Sequence, residues 1–159
     1  MPTPSNEILQ YKVDLFTDGA CIGNPGPGGW AALLQFIVPS QESEKVISGG
    51  EKFTTNNKME LQAVIEGLKA LKKPSVVSVY TDSQYIVNAF KKGWLTRWQA
   101  GGWQTAAREP VKNKEFWLEL LEQSEVHEIE WFWVKGHAGH LQNERVDKVA
   151  RTEAENYRA

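Results

Sequence analysis

Four acidic side chains occupy positions that packing alone does not explain. Asp18 follows an alternating apolar stretch and precedes a glycine-rich segment, while Asp82 follows a second apolar stretch and precedes a predicted helix. Glu60 lies in the first turns of another predicted helix, and Asp147 lies near the start of the last one. Because the carboxyl ends of strands line the ligand crevice of open α/β sheets, we expect Asp18 and Asp82 to converge. Converged carboxylates repel unless a cation lies between them, and Mg²⁺ favours such oxygen ligands.

Other catalytic chemistries find less support. The segment GNPGPGG at 23–29 lacks the Gly-Lys-Ser/Thr of a phosphate-binding loop, and its two prolines have no N–H to donate. Cys21 has no neighbouring base to activate its thiol. As the single cysteine, it also excludes an internal disulfide and a cysteine-built zinc site. In the predicted loop 136–140 we interpret His137 as a proton carrier and His140 as a residue that stabilises the turn.

The spacing of apolar residues predicts the elements that would position the four acids. Thr55 is the predicted N-cap of the first helix, which Pro74 ends. Segment 23–29 is expected to contain no regular element. The predicted strands are 11–17, 30–38, 45–53, 76–81 and 128–134; the predicted helices are 56–73, 83–91, 113–123 and 143–156, with another between the second and third of these.

This order predicts an α/β fold with flanking helices. Its five-stranded mixed sheet would have strands 1–3 as an antiparallel meander and strands 4 and 5 added in parallel. A length of 159 residues fits a single core. We expect one domain over 10–157 after a loose leader over 1–9.

No apolar run approaches the roughly 20 residues that span a bilayer, and the start of the chain lacks the features of a secretory signal. We therefore expect a cytoplasmic protein without a membrane partner.

The segment 88–115 differs in charge from the rest of the chain. It carries six cations and two acids, although the formal net charge of the whole chain is −2. It also contains Trp94, Trp98 and Trp103. Cations interleaved with aromatic residues suit a surface that binds nucleic acid. The alternative is a helical hairpin whose tryptophans fill its own small core. The segment alone favours this second interpretation, because tryptophans are mostly buried on average.

Four strings of the sequence carry a family resemblance: FTDGACIGNPGPGG (16–29), TTNNKMEL (54–61), YTDSQY (80–85) and VKGHAGHLQNERVD (134–147). Together they resemble the bacterial type 1 ribonuclease H family, ribonuclease HI. Any one string is weak, but four in the family's order and spacing are highly specific. With WLTRW (94–98) and PVKN (110–113) the resemblance covers about residues 10–157.

The resemblance implies a ribonuclease H-like fold. It also implies an endonuclease that cleaves the RNA strand of RNA–DNA hybrids, leaving 3′-hydroxyl and 5′-phosphate ends. Such an enzyme would be a monomer that removes RNA primers and R-loops. Its cofactor would be Mg²⁺, with Mn²⁺ as a substitute and two ions per site when substrate is bound. The metal ligands would be Asp18, Glu60, Asp82 and Asp147, with His137 as the catalytic histidine.

The resemblance also assigns residues to the two strands of the hybrid. Asn24, Asn56, Asn57 and Gln84 match minor-groove contacts, and Cys21 matches a position near ribose hydroxyls. Thr55 and Asn113 match a pocket for a phosphate of the DNA strand. Trp94 and Trp98 match the aromatic residues of the DNA-strand channel.

Two departures bear on substrate binding. The protrusion, residues 88–115, has Gln99-Ala100-Gly101-Gly102 where well-known bacterial members carry a Lys and Arg cluster. Phe53 replaces an arginine that often supports the phosphate pocket.

Two rival functions remain. One is a hybrid-binding module without catalysis, which the presence of all four acids disfavours. The other is a polynucleotidyl transferase of the integrase type, which the amide and glycine-rich motifs disfavour.

Overall fold

The computed structural model describes residues 11–38, 41–135 and 140–158. The predicted leader over 1–9 and His137 lie outside these residues. The described part contains five strands and five helices. In chain order they are β1 Tyr11–Cys21, β2 Gly26–Val38, β3 Gln41–Thr54, α1 Asn56–Lys69, β4 Ser75–Thr81, α2 Gln84–Lys91, α3 Trp94–Ala100, α4 Lys114–Val126, β5 Glu128–Trp133 and α5 Leu141–Asn156.

The strands form one mixed sheet in the order β3-β2-β1-β4-β5. The first three strands pair antiparallel as a meander. Strand β4 pairs in parallel with β1, and β5 pairs in parallel with β4. Strand β1 therefore lies at the centre of the sheet. The predicted α/β fold with a five-stranded mixed sheet is confirmed.

Helices cover both faces of this sheet. The larger apolar core joins alternate residues of the strands, such as Leu15 and Val79, to α1, α2 and α4, with Trp117 fully buried among them. A smaller core on the opposite face joins Phe16 and Leu33 to α5. The two cores fix β1 between α1 on one face and α5 on the other. Within the described ranges, no helix has the length and apolar character needed to cross a membrane.

The prediction that 23–29 contains no regular element was wrong. Strand β1 continues to Cys21 and β2 already begins at Gly26, so the first hairpin contains most of the glycine-rich segment. A glycine without a side chain can still exchange backbone hydrogen bonds with a partner strand, and the register shift between Gly26 and Gly28 accommodates Pro27. Asp18 therefore lies inside β1 and not at its end.

Three other element ends differ by four residues from the prediction. Strand β2 begins at Gly26 and β3 begins at Gln41, because pairing of the two strands extends over the whole hairpin. Helix α1 ends at Lys69, since the N–H of Leu71 bonds back to the Leu68 carbonyl in a tighter turn before Pro74. The other ends differ by at most three residues.

Candidate active site

Asp18 is held at the centre of the sheet, where β1 passes the first turns of α1. Its side chain is 6% exposed, and its Oδ1 accepts the N–H of Gly19 at 2.9 Å. A Cβ added at Gly19 would lie 2.5 Å from the Glu60 nitrogen and 2.6 Å from the Met59 carbonyl carbon. Glycine is therefore the residue that lets β1 come this close to α1 and brings Asp18 beside Glu60.

Glu60 is positioned by the start of α1. The Thr55 hydroxyl caps the helix by accepting the N–H of Lys58 at 3.2 Å, as predicted for this N-cap. The side-chain oxygen of Asn24 accepts the N–H of Asn56 at 2.9 Å, so the turn between β1 and β2 is tied to the same helix end. Both bonds fix the first turn of α1, and the Glu60 side chain is 5% exposed within it.

Asp82 stands between β4 and α2. The Ser83 hydroxyl caps α2 by accepting the N–H of Ile86 at 3.2 Å, and the Thr81 hydroxyl accepts the N–H of Ser83 at 3.0 Å. The indole N–H of Trp133, at the end of β5, donates to the Asp82 carbonyl at 3.1 Å. The backbone on both sides of Asp82 is thus held by the neighbouring strand and by its own helix cap.

These elements bring three of the four predicted acids together. Each of Asp18, Glu60 and Asp82 offers one carboxylate oxygen, and these oxygens all lie within 4.8 Å of one another. Burial, followed by the nearby charge of Asp82, raises the pKa of Asp18 to about 9. Burial also raises the pKa of Glu60, with the charges of Asp18 and Asp82 adding to it, and burial raises that of Asp82. The cluster therefore disfavours three negative charges unless a cation compensates them.

The donor set of this acidic triad fits a hard divalent cation. Among the described residues, Glu60 Oε1 and Asp82 Oδ1 are buried side-chain oxygens without a hydrogen-bond partner. Buried polar atoms are nearly always paired, and a bound ion is one of the standard reasons for an exception. Carboxylate oxygens without nitrogen or sulfur donors are the ligands that Mg²⁺ selects. The triad could therefore hold Mg²⁺ or Mn²⁺.

Asp147 lies beside the triad but outside the group of oxygens within 4.8 Å. Its charge contributes to the raised pKa of Asp18, and its carboxylate pairs with Arg151 one turn later on α5 at 2.9 Å. Helix α5 can approach the sheet closely because Gly29 has no side chain. A Cβ there would meet the backbone of α5 at Ala154. Asp147 lines an open cleft of about 330 Å³ together with Cys21 and Asn56.

Of the predicted minor-groove residues, Asn56 lines this cleft. Asn24 and Asn57 are exposed near the start of α1, and Gln84 is exposed at the first position of α2. Cys21 is half-buried, with its thiol directed at the carbonyls of Gly26 and Thr54. The thiol therefore packs within the first hairpin.

Thr55 and Asn113, the predicted phosphate pocket, each precede a helix. Thr55 caps α1, and Asn113 immediately precedes α4 in a left-handed conformation with φ of 64°. Helices α1 and α4 pack against each other, with an ion pair between Lys69 and Glu119. Phe53, the departure noted beside this pocket, is 76% exposed at the end of β3.

The tryptophans of the protrusion pack on one another and on the core. Trp98 contacts Trp94 and Trp103 with ring centroids 6.1 and 6.2 Å apart, and it meets the buried Trp117 edge-on at 5.6 Å. Trp94 and Trp98 are nevertheless only half-buried. The structure thus combines the two interpretations of this segment: the rings build a small core and keep part of their surface open to solvent.

Three neighbours of the site were missed by sequence reasoning: Arg151, Trp133 and Tyr85. Arg151 follows Asp147 by four residues on one helix, a spacing that could have indicated the ion pair. The bond from Trp133 to Asp82 links residues 51 positions apart. The bonds that the Tyr85 hydroxyl accepts from Asn113 and Trp117 link residues 28 and 32 positions apart. Local periodicity gives no signal for such pairs.

Comparisons with known proteins agree with this geometry. The family model described as RNase H matches residues 10–155. Ribonuclease H of Thermus thermophilus is 57% identical over 151 residues, covering 95% of this chain and 89% of that protein. The crystal structure of LC9-RNase H1, described as a type 1 RNase H with the type 2 active-site motif, has a TM-score of 0.84 at 33% identity and covers 93% of this chain and 74% of its own. LC11-RNase H1, solved in complex with an RNA/DNA hybrid, shares the fold with a TM-score of 0.68 at 20% identity. The match covers 91% of this chain and 97% of that chain.

Proposed function

Because the chain belongs to the RNase H family, a family of ribonucleases, we propose that it hydrolyses the RNA strand of RNA–DNA hybrids with the aid of divalent cations. The observation that carries this proposal is the convergence of Asp18, Glu60 and Asp82, with two buried oxygens that lack a partner among the described residues. A module that only bound hybrids would gain nothing from clustering buried acids, since their repulsion destabilises the folded state.

We assign the four carboxylates to the binding of two Mg²⁺ ions when substrate is bound. Ions held by these carboxylates would supply the activation of a water and the stabilisation of the leaving 3′-oxygen in an in-line displacement. The residues supply the positioning: β1, α1 and the end of β4 hold the triad from three sides, so little reorganisation is needed at the moment of reaction. Products with 3′-hydroxyl and 5′-phosphate ends follow from attack on the phosphorus and loss of the 3′-oxygen.

Recognition of the hybrid is assigned to the residues around the cleft. Asn24, Asn57 and Gln84 expose amides that can both donate and accept, so they suit any base edge in a minor groove. Ribose hydroxyls distinguish RNA from DNA at a given site, and Cys21 and Asn56 line the cleft next to Asp147. On the DNA strand we assign Thr55 and Asn113 to the binding of one phosphate. The solvent-exposed surfaces of Trp94 and Trp98 are assigned to contacts with the sugars of that strand. Removal of RNA primers and R-loops is the cellular role that this activity suggests.

We assign proton transfer to His137. Replacing it with alanine is expected to slow turnover by roughly 10²-fold, because the carboxylates would still hold the reacting groups. Single-turnover kinetics measure the effect. A loss greater than about 10³-fold, together with weaker Mg²⁺ binding in calorimetry, would make His137 a metal ligand and contradict this role.

The proposed function is tested with three labelled substrates: an RNA paired with DNA, the same RNA single-stranded, and duplex DNA. In Mg²⁺ only the hybrid RNA is expected to be cut. In Mg²⁺-free Ca²⁺ buffer the protein should bind the hybrid but cleave it little, because Ca²⁺ tolerates irregular coordination and does not hold the groups in line. Binding without cleavage in Mg²⁺ would favour the hybrid-binding module, and cutting of duplex DNA would favour the integrase-type transferase.

A further inference from the structure

Tyr85 joins α2 to the turn that begins α4. Its phenolic oxygen accepts two hydrogen bonds, one from the side-chain nitrogen of Asn113 and one from the indole N–H of Trp117, both at 3.2 Å. The Tyr85 ring also meets the Trp117 ring edge-on, with centroids 5.2 Å apart. A phenolic oxygen can accept hydrogen bonds as well as donate one, and here it accepts from both donors.

Asn113 is held in an arrangement that its position would not produce alone. Asparagine before a helix usually accepts a first-turn N–H with its side chain. Here the side chain makes no such bond within the described residues, and the backbone takes a left-handed φ of 64°. The bond to Tyr85 draws the amide nitrogen toward α2 instead. The first-turn N–H groups of α4 are therefore left to another acceptor.

The surroundings of this turn favour an anion as that acceptor. The start of a helix carries the positive end of the helix dipole, and phosphates bind readily there. Lys112 and Lys114 are exposed on either side of Asn113. The amide nitrogen of Asn113 has a second hydrogen that is free of the Tyr85 bond. The Asn113 amide and the first-turn N–H groups of α4 are thus flanked along the chain by two exposed cations, and the Lys114 ammonium lies over the Trp103 ring, 5.9 Å from its centroid.

We propose that Tyr85 is a positioning residue for substrate binding, which orients the Asn113 amide toward a phosphate of the DNA strand. This inference rests on the proposed function, which assigns Asn113 to that phosphate. Tyr85 directly follows Gln84, the residue assigned to the minor groove. One turn of α2 would then set the spacing between a contact to the minor groove of the hybrid and a contact to a phosphate of its DNA strand. Among the described residues, the Tyr85 hydroxyl bonds to Asn113 and Trp117 and to none of the four acids.

The test compares Tyr85→Phe with Trp117→Phe. Both changes remove the bond between Tyr85 and Trp117, but only the first removes the bond to Asn113. Tyr85→Phe is expected to raise KM and the hybrid Kd in Ca²⁺ by about three- to tenfold, the value of one hydrogen bond, with kcat within twofold. Trp117→Phe should lower the melting temperature, because Trp117 is fully buried, and leave KM within twofold.

Asn113→Ala, alone and combined with Tyr85→Phe, makes the result independent of how well the Trp117 variant folds. We expect Asn113→Ala to raise KM by a similar factor. The KM of the double variant should not exceed that of the more affected single variant.

If Asn113→Ala raises KM and Tyr85→Phe does not, the positioning role is wrong while the proposed function stands. Equal KM changes in Tyr85→Phe and a folded Trp117→Phe also contradict it. If Asn113→Ala leaves KM unchanged, the phosphate assignment fails and the inference fails with it. Absence of hybrid cleavage by the unchanged protein is a separate result, which contradicts the proposed function.

Discussion

The missing side chain at Gly19 is what allows Asp18 and Glu60 to share one site. Gly19→Ala would place a methyl group 2.6 Å from the Met59 carbonyl carbon, so β1 and α1 must separate. We expect a loss of about 1–3 kcal/mol in unfolding free energy. We also expect weaker Mg²⁺ binding, because the triad oxygens move apart. Urea unfolding and calorimetric Mg²⁺ titration measure the two effects.

Gly101→Ala is the matched control for this prediction. A Cβ there would have only the Arg97 carbonyl oxygen within 4 Å, at 3.2 Å, far along the chain from the acids. It should leave Mg²⁺ binding unchanged. If Gly19→Ala binds Mg²⁺ as tightly as the unchanged protein, the close approach of β1 and α1 does not build the metal site.

Residue types in the sequence identify the four acids more readily than they identify their partners. Carboxylates after apolar stretches and near the starts of predicted helices indicate a site, and the resemblance assigns all four to metal binding. The role of Gly19 could not be predicted, because it depends on a distance between two elements. The same applies to Tyr85, whose two donors belong to residues 28 and 32 positions away.

At the scale of elements, His127 connects the end of α4 to the start of β4. Its side chain is 7% exposed, and its Nδ1 accepts the N–H of Ser75 at 3.1 Å. Burial lowers the pKa of His127, partly opposed by a hydrogen bond to the Leu68 backbone. The unfolded chain therefore binds a proton more readily than the folded protein. Stability should fall as pH drops below about 6.5, the ordinary pKa of histidine.

His127→Asn tests this pH dependence, because the Asn Oδ1 can replace Nδ1 as acceptor without titrating. Between pH 7.5 and 5.5 the unchanged protein should lose more unfolding free energy than the variant. Urea unfolding at both pH values gives the difference. Parallel curves for the two proteins would show that the junction does not depend on a neutral His127.

Helix α3 and the turn after it form the tip of the protrusion. Gln99, Ala100 and Gly101 are exposed and uncharged. Each phosphate contact contributes nearly one unit to the slope of log affinity against log salt. Gln99→Lys, Ala100→Lys and Gly101→Arg together should lower KM at moderate salt and steepen the salt slope by up to about three units. kcat should stay within a small factor, because uniform binding leaves the chemical step unchanged.

Serine at the same three positions is the control for the salt prediction, since it changes the tip without adding charge. Hybrid Kd is measured across a range of salt for all three proteins. An unchanged slope in the cationic variant would mean that the tip does not reach the DNA strand, and that the protrusion tryptophans serve only their own packing.

At the scale of the whole molecule, the sheet order could be predicted and the exact position of the site within it could not. Three consecutive strands followed by helical crossovers restrict the possible topologies to a few. Asp18, however, was expected at the end of β1, just before the glycine-rich segment. Pairing with β2 instead carries β1 on to Cys21 and places Asp18 inside the central strand. Long-range strand pairing overrode the local signal.

Charge is also distributed over the molecule unevenly. The protrusion, with a net charge of +4, lies in a chain whose net charge is −2, so the remaining residues carry −6. An asymmetry of this kind favours approach of a polyanion through the protrusion and repels it elsewhere. Divalent cations at the acidic triad would remove the repulsion at the one place where a phosphate must come close.

The central claim is that the triad acids carry the hydrolysis of RNA in a hybrid, and Asp82→Asn tests it most directly. The change removes one charge and keeps the shape of the side chain. Asp14→Asn is the control, since Asp14 lies on β1 away from the triad. In Mg²⁺ we expect the single-turnover cleavage rate of Asp82→Asn to fall by about 10³-fold or more. Its hybrid affinity should be retained or increased, and Asp14→Asn should cleave normally. Near-normal turnover by Asp82→Asn would contradict the assignment of this site.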